Sequence, residues 1–187
     1  MSFGENIVNL IKALPDLNSK YTTNESKQNT VAIMGSSAGS ELLEKYLKAS
    51  SDITRYFIEK GYNVVHGCGT KGIMGEVYNS AKTYSEKDLQ GKPIQNLAII
   101  VEPLWGDENL VDCIPIGKAK SEAERISKFA HVADNFIIFP GSAGTLQETI
   151  TLIQHNHYLK DGEAKKLILF GSEFWEGLVS QIGRAHV

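Results

Sequence analysis

Cysteine is nearly absent from the chain. Cys68 and Cys113 are the two among 187 residues. They stand far apart in sequence without metal-ligand spacing, so both read as reduced thiols of a cytosolic protein. Long apolar runs are missing too, and the longest present are far too short to span a bilayer. The first residues lack the basic-then-apolar pattern of a signal peptide. There is no excess of positive charge: 19 Lys and Arg stand against 22 Asp and Glu, a net −3. That balance exerts no general pull on nucleic acid or on an anionic membrane, and neither is expected as a partner, although a local basic pocket stays open. Internal repeats and low-complexity tracts are also missing. What remains is ordinary globular composition, 42% hydrophobic and 22% charged, with enough chain to bury a core in one domain plus a short appendage.

The appendage is placed at 1–29. Ile7, Val8, Leu10, Ile11 and Leu14 are spaced like one face of a helix that Pro15 limits. This helix is expected to pack on the core or on a second subunit. Residues 16–29 are polar and read as a linker or surface arm. From residue 30 to 187 strands alternate with helices. Val31–Met34, Asn63–His66, Leu97–Val101, Phe136–Phe139 and Leu167–Phe170 read as strands, with a short further one at Cys113–Ile116. Helices are expected over 40–60, through Val77 and Ala81, over 122–132, from Thr145 to about Leu159, and over 172–182. Gly61 stands where a helix-ending glycine belongs. The alternation predicts an α/β fold, Rossmann-like and doubly wound, with a mainly parallel sheet covered by helices on both faces.

Ligands of such sheets sit beyond the carboxyl ends of the strands, and three small-residue loops, 35–39, 67–75 and 141–144, are expected to meet there. One such loop says little. Three on one rim point to a phosphate-bearing ligand. The most informative stretch is Phe136 to Glu148. An apolar strand stops at Pro140, which cannot donate to a central ladder. Gly141, Ser142, Ala143 and Gly144 form a tight loop, and Thr145 opens a helix with Glu148 in its first turn. Backbone amides and the helix dipole make an anion site there. A carboxylate so close would repel phosphate, unless Glu148 meets a neutral, hydroxyl-bearing part of the same ligand. A sugar phosphate has that shape. Arg125 and Lys128 lie at i, i+3 on the preceding helix and share a face that can balance the charge.

Other motifs are weaker. Gly67-x-Gly69-x-x-Gly72 matches the dinucleotide fingerprint as written. It follows the second strand, however, and no acidic residue ends a strand about 20 residues later, so a nicotinamide cofactor is not expected. His155 and His157 sit at i, i+2 and face different ways on a helix. His66 and His131 read as structural. Trp105 lies in an irregular loop, 102–112, where it can stack on a base or be partly buried.

With those residues in view, the chain resembles the Lonely Guy family of nucleoside 5′-monophosphate phosphoribohydrolases. The resemblance runs from about Val31 to Ile182. It rests on Gly35-Ser-Ser37, on Gly67-x-Gly-x-x-Gly-Ile-Met-Gly75, on Arg125 and its spacing to Pro140, and on Pro140-Gly-x-x-Gly-Thr-x-x-Glu148. Members are often labelled lysine decarboxylase, but no pyridoxal-phosphate lysine context is visible here. The resemblance implies that Arg125 and Glu148 are the catalytic pair. It also implies that Gly141, Gly144 and Thr145 hold the 5′-phosphate, with Ser36 or Ser37 helping. Gly35, Gly69, Lys128, Ser142 and Ala143 complete the expected substrate contacts. It implies a homodimer acting on a small nucleotide such as AMP or an N6-modified AMP, with no metal and no redox cofactor. Ser142 departs from the family, which usually has a second glycine there. Its side chain either crowds the phosphate or donates to it. The tail from Gly183 does not look helical and suggests a truncated chain. The rival reading is a non-catalytic nucleotide or molybdenum-cofactor carrier of the same fold, which needs the loops but not both Arg125 and Glu148.

Overall fold

The structure is a computed structural model that describes residues 14–38, 41–91, 93–102, 112–160 and 163–185. The expected opening helix and Trp105 lie outside these residues. Six strands form one sheet: β1 (Thr30–Met34), β2 (Asn63–His66), β3 (Asn96–Val101), β4 (Ile114–Ala119), β5 (Asn135–Ile138) and β6 (Lys166–Leu169). Their order is β4-β3-β2-β1-β5-β6 and every pairing is parallel. Between and beside the strands run α1 (Asn24–Gln28), α2 (Glu41–Glu59), α3 (Gly72–Tyr84), α4 (Glu122–Val132), α5 (Ala143–His157) and α6 (Ser172–Ala185).

All five β1 residues are buried. A strand covered on one face would alternate, so β1 must be covered on both. Ala32 and Met34 face one apolar cluster with Val65, Phe136 and Ile138, closed by Ile126 and Phe129 of α4, Leu152 of α5 and Trp175 of α6. Val31 and Ile33 face the other, with Val64 and Ile137, closed by α2 and α3. α4, α5 and α6 therefore lie on one side of the sheet and α2 and α3 on the other.

Several boundaries differ from the expectation. β4 is longer and later than 113–116, because its pairing with β3 continues to Val101–Ala119. α6 runs on through Gly183 to Ala185. One glycine does not stop a helix whose apolar face is already docked. Residues 16–29 do not run as a plain linker. A 3-10 turn (Ser19–Tyr21) and α1 lie across the amino ends of the strands, Tyr21 is buried, and the Asn18 amide donates to the Ile116 carbonyl at 2.7 Å. The Asn63 and Asp134 amides in turn donate to the carbonyls of Asn29 and Lys27. Cys68 and Cys113 are not joined by a disulfide, but the fold brings their buried Sγ atoms to 2.6 Å.

Trp175 anchors α6. It is 2% exposed, and its indole Nε1 donates to the Phe170 carbonyl at 3.0 Å. Trp175→Ala is expected to cost about 3–5 kcal/mol of stability. Guanidinium unfolding followed by far-ultraviolet circular dichroism should show a lower midpoint with an unchanged slope.

Candidate functional site

Strand order reverses at β1. From β1 the strands step outward to β2 and β3, and β5 fills the other side. The loops after β1 and β5 therefore part at the carboxyl edge and leave a crevice. A cavity of about 490 Å³ lies there, reaching also to the loop after β2. All three small-residue loops contribute to it.

Ser36 ties the loops together. Its amide donates to the Pro140 carbonyl at 3.4 Å, and its carbonyl accepts from the Met74 amide at 3.2 Å. Its hydroxyl donates to the Ala38 carbonyl and accepts from the Ala38 amide. The side chain is thus spent inside the loop and does not line the cavity, whereas Gly35 and Ser37 do. The buried Thr145 hydroxyl lies where a Cβ on Gly141 would come, 2.1 Å away, so Gly141 packs against Thr145 and does not line the cavity.

α5 begins two residues earlier than expected. Ser142 is its N-cap, and Ala143 and Gly144 already belong to its first turn. Glu148 therefore sits in the second turn. Ser142 makes no side-chain capping bond and lines the cavity with Gly144 and Thr145. Ala143 is exposed and not part of the lining.

α4 supplies the cation. Its start is fixed by Ser121, whose hydroxyl accepts from the Glu124 amide, while the Glu124 carboxylate reaches back to the Lys120 amide at 2.7 Å. This is a capping box displaced by one residue. That register turns Arg125 into the cavity but not Lys128. Lys128 pairs with Glu124 at 2.7 Å and donates to the Lys118 carbonyl, so the expected Arg125/Lys128 anion face does not form. The shared face runs the other way along the helix, to Glu122, whose carboxylate accepts from Arg125 Nη2 at 2.7 Å. A Cβ on Gly67 would come within 2.8 Å of Nη1, so only glycine lets the guanidinium lie against that loop.

Arg125, Glu148, Gly35, Ser37, Gly69, Ser142, Gly144 and Thr145 thus share the cavity lining. Gly67 and Lys71, from the loop expected on this rim, line it too, and so does Glu122, which sequence reasoning missed. The i−3 spacing from Arg125 was the available signal for Glu122. Among the described residues no group of three or more His, Cys, Asp or Glu is placed to hold a metal, and no helix is long and apolar enough to cross a membrane.

Two ionisable groups flank Arg125: His66, which is buried, and Glu148, which is partly buried in the cavity wall. Burial pushes the Glu148 carboxyl up to about 7; Arg125 opposes this and Glu122 adds to it. Burial pulls His66 down to about 4, against a hydrogen bond to Asn96 and helped by Arg125. Neutral His66 accepts from the Cys68 amide at Nδ1, which leaves Nε2 to donate to Asn96 Oδ1 at 2.6 Å. Asn96 Nδ2 then donates to the Asp112 carbonyl. The network fixes the root of the Gly67 loop, where Cys68 holds a φ of +59°.

A family model described as "Possible lysine decarboxylase" matches residues 74–186. Among curated proteins, the chain is similar to the cytokinin riboside 5′-monophosphate phosphoribohydrolase LOG of Oryza sativa subsp. japonica. It is 29% identical to that protein over 111 residues, which is 58% of this chain and 42% of the relative. It is 28% identical over 127 residues to the probable cytokinin riboside 5′-monophosphate phosphoribohydrolase LOGL3 of the same plant, covering 67% of this chain and 56% of that one. The chain spans about half the length of the curated relatives it matches. Among solved structures it is similar to the molybdenum cofactor binding protein from the phototrophic bacterium Rippkaea orientalis. There the TM-score is 0.54 at 16% identity, covering 83% of this chain and 97% of that one. At that identity the likeness is one of fold alone.

The two perturbed groups give opposite pH slopes. His66 falls from 6.5 to about 4, so the unfolded chain holds more protons between those values and stability rises with pH. Glu148 rises from 4.5 to about 7, so the folded state holds the extra proton and stability falls as pH climbs across that window. Glu148→Gln removes the opposing slope. Urea midpoints at several pH values between 4.5 and 6.5 should climb more steeply in the variant than in the parent. Equal slopes would mean that Glu148 is not protonated in the folded cavity.

Proposed function

Because the chain belongs to the Lonely Guy family, whose model carries the description "Possible lysine decarboxylase", we propose that it is a nucleoside 5′-monophosphate phosphoribohydrolase of the cytosol. It adds water across the N-glycosidic bond of AMP or a cytokinin-type N6-modified AMP and releases the free base and ribose 5-phosphate. One observation carries this reading: an arginine and a high-pKa carboxyl line the same cavity as the first turn of α5, at the point where the strand order reverses.

The 5′-phosphate sits against Gly144, Thr145 and the positive end of α5, with Ser142 as a further hydroxyl donor. Phosphate binding away from the scissile bond supplies energy for placing the ribose. Glycosidic cleavage builds positive charge on the sugar ring, which a carboxylate stabilises. Glu148 in its ionised form meets the ribose hydroxyls and takes a proton from the attacking water, and the departing base nitrogen takes up a proton as the glycosidic bond breaks, so that one water is added across it. Arg125 stays charged at any working pH and anchors the phosphate or the departing base. The reading includes a homodimer, as the family resemblance implies. The carrier alternative has fold likeness behind it but gives no role to both Arg125 and Glu148.

Base release followed by liquid chromatography tests the proposal with AMP and isopentenyladenosine monophosphate in a wider nucleotide panel. The parent should release base, and Glu148→Gln and Arg125→Ala should each lower the rate roughly 10²–10³-fold. A parent that cleaves no nucleotide sinks the proposal.

A further inference from the structure

We infer that Glu122 is a positioning residue of this site: it clamps the Arg125 guanidinium against the Gly67 backbone and holds a second negative charge over the cavity that Glu148 lines. The inference rests on the proposed function for its catalytic meaning, but its geometry stands independently.

Glu122 lies one helical turn before Arg125, in the first turn of α4. Its carboxylate is 2.7 Å from Nη2, while Nη1 faces the position a Gly67 Cβ would fill. The guanidinium is therefore gripped from two sides, by an anion and by main chain. The Arg125 side chain is 12% exposed and that of Glu122 is 39% exposed, so the guanidinium is set into the cavity wall while the acid that holds it stays partly in water. A surface ion pair at i, i+3 contributes little to stability. This pair instead sets where a charge points.

The charge has a second effect. Facing Glu148 from α4 are Arg125 and Glu122, and Lys71 lies on the cavity rim at the start of α3. Glu148's own helix carries no other charged side chain before His155. The 35–38 loop has none. Neutralising Glu122 removes a negative neighbour of Glu148 and releases the guanidinium toward the remaining acid. Both changes favour ionised Glu148, so both move its titration toward lower pH.

The test titrates Glu148 directly in ligand-free protein, by carbon-detected NMR of the labelled side-chain carboxyl assigned through Glu148→Gln. Glu122→Gln should move the midpoint acidward by about half a pH unit or more. Glu122→Asp keeps the charge and shortens the reach, so it should leave the midpoint near that of the parent. Glu176→Gln, on the exposed side of α6, is the control and should change nothing. In the base-release assay Glu122→Gln and Glu122→Asp should both lower kcat, by roughly tenfold, with KM nearly unchanged. The inflection of the pH–rate profile should move acidward in Glu122→Gln alone. An unmoved Glu148 midpoint in Glu122→Gln, or a kcat equal to the parent's in both variants, overturns the inference. If the parent cleaves no nucleotide, the functional reading fails while the titration still decides what Glu122 does to Glu148.

Discussion

The reversal of strand order at β1 is the constraint on which the site depends. Parallel strands need crossovers, and those crossovers are right-handed. Stepping from β1 toward β3 puts α2 and α3 on one face. Stepping from β5 to β6 puts α5 on the other. The loops leaving β1 and β5 must therefore diverge, and the gap between them cannot be filled by a crossover of the sheet itself. Buried strands hold that gap open, since β1 is covered on both faces and cannot shift to close it.

Within the gap the chain collects charges that would be costly elsewhere. A partly buried carboxyl and a guanidinium gripped at its tip line the cavity, and a neutral buried histidine ends the strand that leads into the Gly67 loop. Each perturbation has its own cause. Glu148 is raised by lost hydration, Arg125 is held by Glu122 and by the missing side chain of Gly67, and His66 is kept neutral by burial and by a donor–acceptor chain through Asn96. Shifts of this kind gather where acid–base work is done. The network around His66 also explains how a loop of small residues keeps one shape. Its root is tied by a ring nitrogen to a backbone amide, and its far end is tied by Met74 to Ser36.

Much of this was legible before any fold was known. The strands at 31–34 and 63–66 and the helix at 122–132 lie within a residue of their observed limits, because apolar runs and caps are local signals. Gly61 holds a φ of +84°, as a helix-ending glycine does. The errors share one cause. Lys128 was assigned to the anion site by spacing, but spacing fixes a face and not what lies opposite it. Here the Lys118 carbonyl lies opposite and Glu124 stands one turn back on the same helix, and together they hold the lysine away from the cavity. Ser36 looked like a phosphate donor, and loop closure took its hydroxyl first. The pairing of Glu122 with Arg125 needed only the other direction along the same helix.

Periodicity and turn chemistry, then, determined an alternating α/β chain with small-residue loops after its strands, and they marked Arg125 and Glu148 as the charged groups to watch. These are properties of neighbours in sequence, set by backbone sterics and side-chain size. Only the tertiary structure decided that Gly67 lies against a guanidinium carried by a helix almost sixty residues away, that Cys68 touches Cys113, and that packing around Glu148 lifts its carboxyl toward neutrality. Dehydration and close approach depend on what the far parts of the chain bring alongside, and no local pattern encodes that.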